Sequence, residues 1–450
     1  MKGILISGPS GTGKTFLAKQ IAKSMGATIH AFDGPKILPY VGEAYVNLSI
    51  FHPAEQDYKH FGDGSDLHVF IFDDFDIGNN NCVVNQALSD IHVLRHLNNV
   101  LIIAITNRKH RIAKNVLSVL QAHHQLTLPD ENTRLEILRT QTAAMRIWSR
   151  LQEDVDLREV AKRTVNFTPA ELAAALRSAI SFPLFESFQP NSTIGDCANL
   201  KVTSEHLFEG IREVHPIYGV EDLQHYLAFD LIPHSREFVE MMNSAALFAK
   251  QGKCSARGVL SLLLEGPVGC GKTSIAASLA MQDFYSVKLI TAEKCIGFTE
   301  IAKISYIRQV FEDSYNSVRA CIIIDDIERL IENIGIDPLF SNPILQTIWS
   351  LLRKPPPTGR NLFILGTTSC FKLLSEIGLA SAFTAVLSVP CVPPQMGIDS
   401  VLSFLEIEME LSQQVRHAVL QSYTSAVPIK KLLSTTERIK LHFEEQSLFC

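Results

Sequence analysis

Two short segments of this chain carry residue types suited to phosphate chemistry. Gly8-Pro9-Ser10-Gly11-Thr12-Gly13-Lys14-Thr15 and Gly266-Pro267-Val268-Gly269-Cys270-Gly271-Lys272-Thr273 both fit the pattern G-x-x-x-x-G-K-[ST]. In such a loop the glycines let backbone N–H groups wrap phosphates, the lysine reaches the β- and γ-oxygens, and the hydroxyl coordinates Mg²⁺. Lys14 and Lys272 are therefore read as phosphate contacts and Thr15 and Thr273 as metal ligands, with the rest of each loop as the cradle. Each loop is followed by an apolar run that ends in two acids. The first is Val69-Phe70-Ile71-Phe72-Asp73-Asp74 and the second Ile322-Ile323-Ile324-Asp325-Asp326. Asp73 and Asp325 suit the task of holding the ion through water. Paired acids after a strand also cap helices, but beside a phosphate loop the metal role is the stronger reading. One such loop arises readily by chance. Two, each with its acidic pair, argue for ATP and Mg²⁺ as cofactors.

Something must hold these groups at fixed separations, and the runs around them say what. Each loop follows a short apolar run, Gly3 to Ser7 and Val259 to Leu264, and precedes a helical pattern. A further apolar run comes after each acidic pair, Val100 to Thr106 and Asn361 to Thr368. Continuous apolar strands alternating with helices predict an α/β fold whose parallel sheet is covered on both faces. The repetition predicts that architecture twice in tandem. Apolar positions at Leu135, Leu138, Leu157 and Val160, with a helix start near Thr168-Pro169-Ala170-Glu171, predict a small helical lid over 131–212. The second lid is expected over 396–445 and a linker from Pro216 to Asp222, which divides the chain into domains 1–212 and 213–450.

Composition narrows the classes. The chain has 450 residues, 46% hydrophobic and 20% charged, which reads as globular. A formal net charge of -6 gives no basic face for nucleic acid to follow. Nine scattered cysteines without paired metal spacing support neither a disulfide framework nor a zinc site, and fit a reducing compartment. No apolar run spans a bilayer, and Met1 to Ile6 reads as a strand rather than a leader.

Other segments are similar to one family in particular, the N-ethylmaleimide-sensitive fusion ATPases, AAA+ proteins with tandem ATPase domains. Lys36-Ile37-Leu38-Pro39-Tyr40-Val41-Gly42-Glu43 looks like the family's central-pore loop. Val83-Val84-Asn85-Gln86 and Thr106-Asn107-Arg108 fall where the family has the same words. In the second half the match includes Ile296-Gly297-Phe298-Thr299-Glu300, Asp325-Asp326-Ile327-Glu328-Arg329-Leu330, Gly366-Thr367-Thr368-Ser369 and Ile429-Lys430-Lys431-Leu432-Leu433. The resemblance implies that Tyr40 and Val41 grip a substrate chain, that Asn107 senses the γ-phosphate, and that Asp74 and Asp326 polarise the attacking water. It implies that Arg353 reaches the nucleotide of an adjacent subunit. It further implies ATP-dependent dismantling of SNARE complexes by a homohexamer, through an adaptor of the soluble attachment protein type. Such a protein would be cytoplasmic, peripheral at Golgi and vesicle membranes.

The chain also departs from that family's pattern. The family carries an adaptor-binding domain and an adenine-clasping segment ahead of its first strand; Met1 begins at that strand, so both are expected to be missing. Asp74 stands where AAA+ enzymes usually have glutamate, and one methylene withdraws the carboxylate by about 1 Å, a misplacement that can cost ~10²-fold in rate. Ser118 and Gln121, followed by His123 and His124, stand where arginine fingers are expected. A missing finger costs ~10³–10⁵ in turnover, so finger loss is expected to outweigh the shorter acid. Arg108 and Arg111 substitute only if the loop is rebuilt. Little chain lies between Asp76 and Val83 for a second pore loop, and Asn361 replaces a family lysine. These departures sustain a second reading, an ATP-binding regulatory protein with hydrolysis largely lost. Finally, Cys270 sits where a helix N-terminus and a lysine favour thiolate, which predicts it as the target of alkylation.

Overall fold

Apolar runs with no polar alternation can be strands only if both faces are covered, and the fold meets that condition twice. The computed structural model describes residues 3–33, 51–73, 98–108, 112, 117, 120–187, 201–221, 223–226, 231–254, 258–331, 341–409 and 413–448. These form two compact units, Met1–Ile217 and Tyr218–Cys450.

In the first unit the strands are β1 (Gly3–Ser7), β2 (Thr28–Asp33), β3 (His68–Asp73), β4 (Val100–Thr106) and β5 (Ala122–Gln125). They pair in parallel in the order β2-β3-β4-β1-β5. Period-two geometry splits β4 between two cores. Val100, Ile102 and Ala104 join Leu5, Phe70 and Phe72 on one face, while Leu101, Ile103 and Ile105 join Ile6, Val69 and Ile71 on the other. Helix α1 (Lys14–Ser24) covers the second face through Ala18 and Ala22, and α2 (His52–Phe61) the first through Ala54.

The lid of this unit comprises α3 (Glu131–Ile147), α4 (Leu157–Arg163), α5 (Pro169–Ser187) and α6 (Ser204–Glu213). Leu135, Leu138, Leu157 and Val160 all point into its core, with Leu172 and Leu207. Its helix starts are set by side chains: the N–H of Thr133 donates to Asp130 at 2.8 Å and that of Arg158 to Asp156 at 2.8 Å. At α5 the Glu171 carboxylate accepts from the N–H of Thr168 at 2.7 Å while the Thr168 hydroxyl accepts from the N–H of Glu171, a reciprocal capping box.

The second unit repeats the plan. Its strands are β6 (Val259–Glu265), β7 (Ser286–Ile290), β8 (Arg319–Ile324), β9 (Asn361–Thr368) and β10 (Ala385–Ser388), in the parallel order β10-β6-β9-β8-β7. Read from the other edge, this is the order of the first sheet. Its helices are α7 (Arg236–Cys254), α8 (Lys272–Asp283), α9 (Glu300–Ser314), α10 (Ile327–Leu330), α11 (Asn342–Arg353) and α12 (Phe371–Glu376). The lid is α13 (Met396–Met409), α14 (Gln413–Ser422) and α15 (Ile429–Leu448), closed around Leu402, Val419 and Leu432. The expected α/β architecture, two parallel sheets flanked by helices, is what forms.

The stretch read as linker, Pro216 to Asp222, is partly sheet. The N–H of Glu221 donates to the carbonyl of Val287 at 3.1 Å, and the N–H of Val287 to that of Gly219 at 3.3 Å. Glu221 is then fixed by Lys294 at 2.6 Å. Edge pairing of this kind is invisible in a sequence because Gly219-Val220-Glu221 is too short to show a period.

Candidate nucleotide-binding sites

In a parallel sheet of this type the groups that meet a ligand stand at the carboxyl ends of the strands. Both phosphate loops do so, leaving β1 and β6. Gly8 and Gly266 show why the first loop position must be glycine: their φ values are 153° and 156°, and a Cβ would lie 2.4 Å from the Leu126 carbonyl oxygen or 2.9 Å from that of Val389. Gly13 and Gly271 take left-handed conformations, φ 88° and 83°, and turn the chain into α1 and α8.

The backbone bonds around the loops correspond pair by pair. The N–H of Gly8 donates to Thr106 at 3.3 Å and that of Gly266 to Thr368 at 3.3 Å; Leu17 donates to Gly13 at 2.8 Å and Ile275 to Gly271 at 2.9 Å. Even the lids dock alike: Ala170 N–H donates to the Gly11 carbonyl at 3.2 Å, and Lys430 N–H to that of Gly269 at 3.0 Å.

The charged groups assemble as their spacing demanded. Thr15 Oγ1 donates to Asp73 Oδ2 at 2.6 Å, and Thr273 Oγ1 to Asp325 Oδ1 at 2.8 Å, so each hydroxyl meets the acid assigned to the same ion. An oxygen-only donor set of this kind fits Mg²⁺. Lys14 Nζ donates to the Pro9 carbonyl at 2.7 Å. Lys272 Nζ donates to the Gly266 and Pro267 carbonyls at 2.8 and 2.9 Å, and to Ser369 Oγ at 3.1 Å. Burial pushes the Lys272 ammonium below its ordinary value, while the carboxylates of Asp326, Glu328 and Asp325 pull the other way. Burial likewise pushes Asp325 up, opposed by the hydroxyls of Thr367 and Thr273. Desolvation is the larger influence on both groups, and it penalises each group's charged form.

The ends of β4 and β9 carry the position the resemblance reads as the sensor. The N–H of Arg108 donates to Thr106 Oγ1 at 2.9 Å, and that of Cys370 to Thr368 Oγ1 at 3.1 Å. Asn107 therefore matches Ser369, which touches Lys272 directly. Two partners in the second site, Thr367 and Glu328, were given no role by the sequence. Thr367 bonds Asp325 at 2.7 Å, and the buried Glu328 accepts from Thr368 Oγ1 at 2.9 Å and from the N–H of Ser369 at 2.8 Å. Glu328 thereby ties α10 to the sensor strand. The similarity of Asp325–Leu330 and Gly366–Ser369 to one family was the signal that these words matter, but it gave them no task. Asp326 begins α10 in a left-handed conformation, φ 46° and ψ 63°, its N–H donating to Thr367 Oγ1 at 2.9 Å and its carboxylate 3.5 Å from Arg329.

Not every expected residue joins these groups. Asp74, Tyr40, Val41, Arg111 and Ser118 lie outside the described residues. Gln121 is exposed and leads directly into β5, whose His123 and His124 are paired to β1. Arg353 ends α11, exposed, its guanidinium 5.0 Å from the centre of the Trp349 ring. Cys270 departs from its expected character: it is 3% exposed, and its pKa is pushed up to about 12 by burial and by the Cys391 thiol, which together outweigh Lys272. Desolvation defeats the helix terminus here.

The description "ATPase family associated with various cellular activities (AAA)" matches residues 4–128 and again residues 262–390. The chain belongs to that family, with two tandem copies of its domain, and ATP is the nucleotide the family implies. Among relatives, a vesicular-fusion protein, sec18, of Schizosaccharomyces pombe is 36% identical over 100% of this chain and 60% of its own length. A vesicle-fusing ATPase of Arabidopsis thaliana is 39% identical over 87% of this chain and 56% of its own. One of Dictyostelium discoideum is 36% identical over 97% and 62%. The chain thus spans roughly three-fifths of the length of these relatives. No helix among the described residues is long and apolar enough to cross a membrane.

Proposed function

We propose that this chain is an ATP hydrolase of the vesicle-fusing type, which separates SNARE complexes in intracellular membrane traffic. The observation that carries the reading is the pair of phosphate loops, each with its lysine, hydroxyl and aspartate brought together, in a chain whose relatives are named for vesicle fusion. In this reading domains 1–212 and 213–450 each bind ATP. The loop residues 8–15 and 266–273 cradle the phosphates, and Thr15 with Asp73, and Thr273 with Asp325, hold Mg²⁺. When bound, that ion neutralises charge on the phosphates. Asn107 senses the γ-phosphate, and Asp74 and Asp326 polarise the attacking water. Arg353 crosses to a neighbouring subunit's nucleotide, where a guanidinium fork suits phosphate, and Tyr40 and Val41 engage the substrate chain in a homohexamer. The protein works in the cytoplasm, peripheral at Golgi and vesicle membranes, through an adaptor of the soluble attachment protein type.

A second reading, an ATP-binding regulatory protein with little hydrolysis, is favoured by Ser118 and Gln121 at the finger positions. Phosphate release by the purified chain, followed with malachite green, separates the two. Release that accelerates when a preformed SNARE bundle and adaptor are added supports the first reading. Tight ATP binding without release supports the second.

A further inference from the structure

In the second unit two thiols from different elements approach within 3.2 Å, sulfur to sulfur. Cys270 belongs to the phosphate loop between β6 and α8. Cys391 belongs to the segment that leaves β10, where the N–H of Val389 donates to Glu265 at 2.7 Å and Val392 pairs with Val427. Both are free cysteines. Cys270 packs among Leu262, Leu264 and Val389, and Cys391, half-buried, borders the same cluster. Nucleotide binding does not explain the pair. The first loop has Thr12 at the matching place, and Leu128 corresponds to Cys391, because Leu126 N–H bonds Ser7 as Val389 bonds Glu265. Among the described residues no group of three His, Cys, Asp or Glu side chains is placed to hold a metal.

We propose that Cys270 and Cys391 form a reversible disulfide that ties the second phosphate loop to the segment after β10 and lowers its affinity for nucleotide. A disulfide bond is about 2.05 Å long, so closure moves the sulfurs together by on the order of 1 Å. That movement is borne by the backbone next to Gly271 and Lys272, whose N–H groups and ammonium must meet phosphate. The oxidant is a peroxide. The more accessible Cys391 sulfur attacks one peroxide oxygen, the O–O bond breaks, and a sulfenic acid and water result. The Cys270 sulfur then displaces the sulfenic oxygen, which leaves as a second water with the thiol proton. Two thiols are oxidised and one hydrogen peroxide is reduced to two waters. A dithiol reverses the step by exchange. Linkage makes the effect mutual: bound nucleotide, which holds the loop in place, disfavours the disulfide.

The inference rests on reading the second loop as an ATP site, and the test separates the two. The full chain carrying Lys14→Ala, which silences the first site, is titrated with a fluorescent ATP analogue before peroxide, after it, and after dithiothreitol. Unreacted thiols are blocked and the peptides are weighed. The expected result is a linked Cys270–Cys391 peptide, an affinity lower by about tenfold, the equivalent of one charge-assisted hydrogen bond, and recovery of both with dithiothreitol. Cys391→Ser should bind as the reduced protein does and ignore peroxide. Absence of the linked peptide overturns the proposal, as does a linked peptide with unchanged affinity, or equal peroxide sensitivity in Cys391→Ser. A reduced Lys14→Ala chain that binds no nucleotide overturns instead the site assignment beneath it.

Discussion

Laid over one another, the two nucleotide sites agree in their backbone and differ in what the backbone carries. Gly8, Gly13 and Ala170 make the same main-chain bonds or turns as Gly266, Gly271 and Lys430. Yet over the first loop the lid presents a methyl group, Ala170, and over the second a cationic side chain, Lys430. Asn107 follows β4, while Ser369 follows β9 and bonds the loop lysine at 3.1 Å. Asp325 takes a second hydroxyl, from Thr367, and a carboxylate, Glu328, fastens the sensor strand. Duplication kept the hydrogen bonds that shape a phosphate cradle, because a fold is lost without them. The side chains that decide how tightly a nucleotide is held and how fast it is cleaved were left to diverge.

The largest effect expected from erasing this difference lies in turnover. With hydrolysis at the second site cut by Asp326→Asn, which keeps Lys272 and the assembly it supports, the first should release phosphate slowly. Placing arginine at Ser118 and Gln121, together with Asp74→Glu, should raise the rate about 10³-fold, the contribution of a finger. Asp74→Glu alone should do little; brisk release before any replacement would remove the contrast between the sites.

Next in size is the loss of Lys272. Lys272→Ala removes a charge-assisted contact to phosphate, and the second site should bind a fluorescent ATP analogue about 10²-fold more weakly. Hexamers should fall to monomers on a sizing column, whereas Lys14→Ala should leave assembly in place. Equal assembly in both variants would erase the distinction.

Exchanging the lid residues should give about a tenfold change. Lys430→Ala should weaken ATP at the second site and Ala170→Lys strengthen it at the first, by one exposed charge-assisted bond each. Calorimetric titration of each variant, with the other loop lysine removed, reads both directions.

The smallest effect is one of pH. His234 is 4% exposed, its ring tilted 42° against Phe238 at 4.6 Å, and its Nδ1 has no hydrogen-bond partner among the described residues. Burial lowers its pKa below the ordinary 6.5. The folded state then binds fewer protons than the unfolded chain, so the stability it contributes is present above 6.5 and lost as pH falls toward the folded value. In the first unit burial, with His68 alongside, lowers His30 in the same direction. Melting curves at about pH 7.5 and pH 5.5 should therefore show a larger acid loss for the parent chain than for His234→Phe. A variant that loses as much as the parent would shift the acid sensitivity elsewhere.

What could be read from residues alone was whatever depends on local pattern. The apolar runs before Ser7, Asp73 and Thr106, and their copies before Glu265, Asp325 and Thr368, announced two parallel sheets, since nothing else buries such runs on both faces. The loop lysines, hydroxyls and metal-holding acids were legible because their motif encodes a local backbone shape. Glu328, Thr367 and the edge pairing of Glu221 were not, since each depends on strands far apart in sequence. Cys270 was misjudged for the same reason. Its neighbours in the chain, Gly271 and Lys272, favour a thiolate, while burial in the cluster with Leu262 and Leu264, and the Cys391 thiol, push its pKa the other way.

The backbone at Asp326 also bears on which acid stands there. A left-handed residue that is not glycine is strained, least so for Asp and Asn, whose short side chains bond locally, and more so for longer ones. At φ 46° Asp is among the side chains that tolerate the turn best, and Glu would carry strain on the order of 1 kcal/mol, a cost the fold already bears at Gln395, φ 59°. The short acid thus suits the turn into α10, and a longer carboxylate would trade backbone ease for reach.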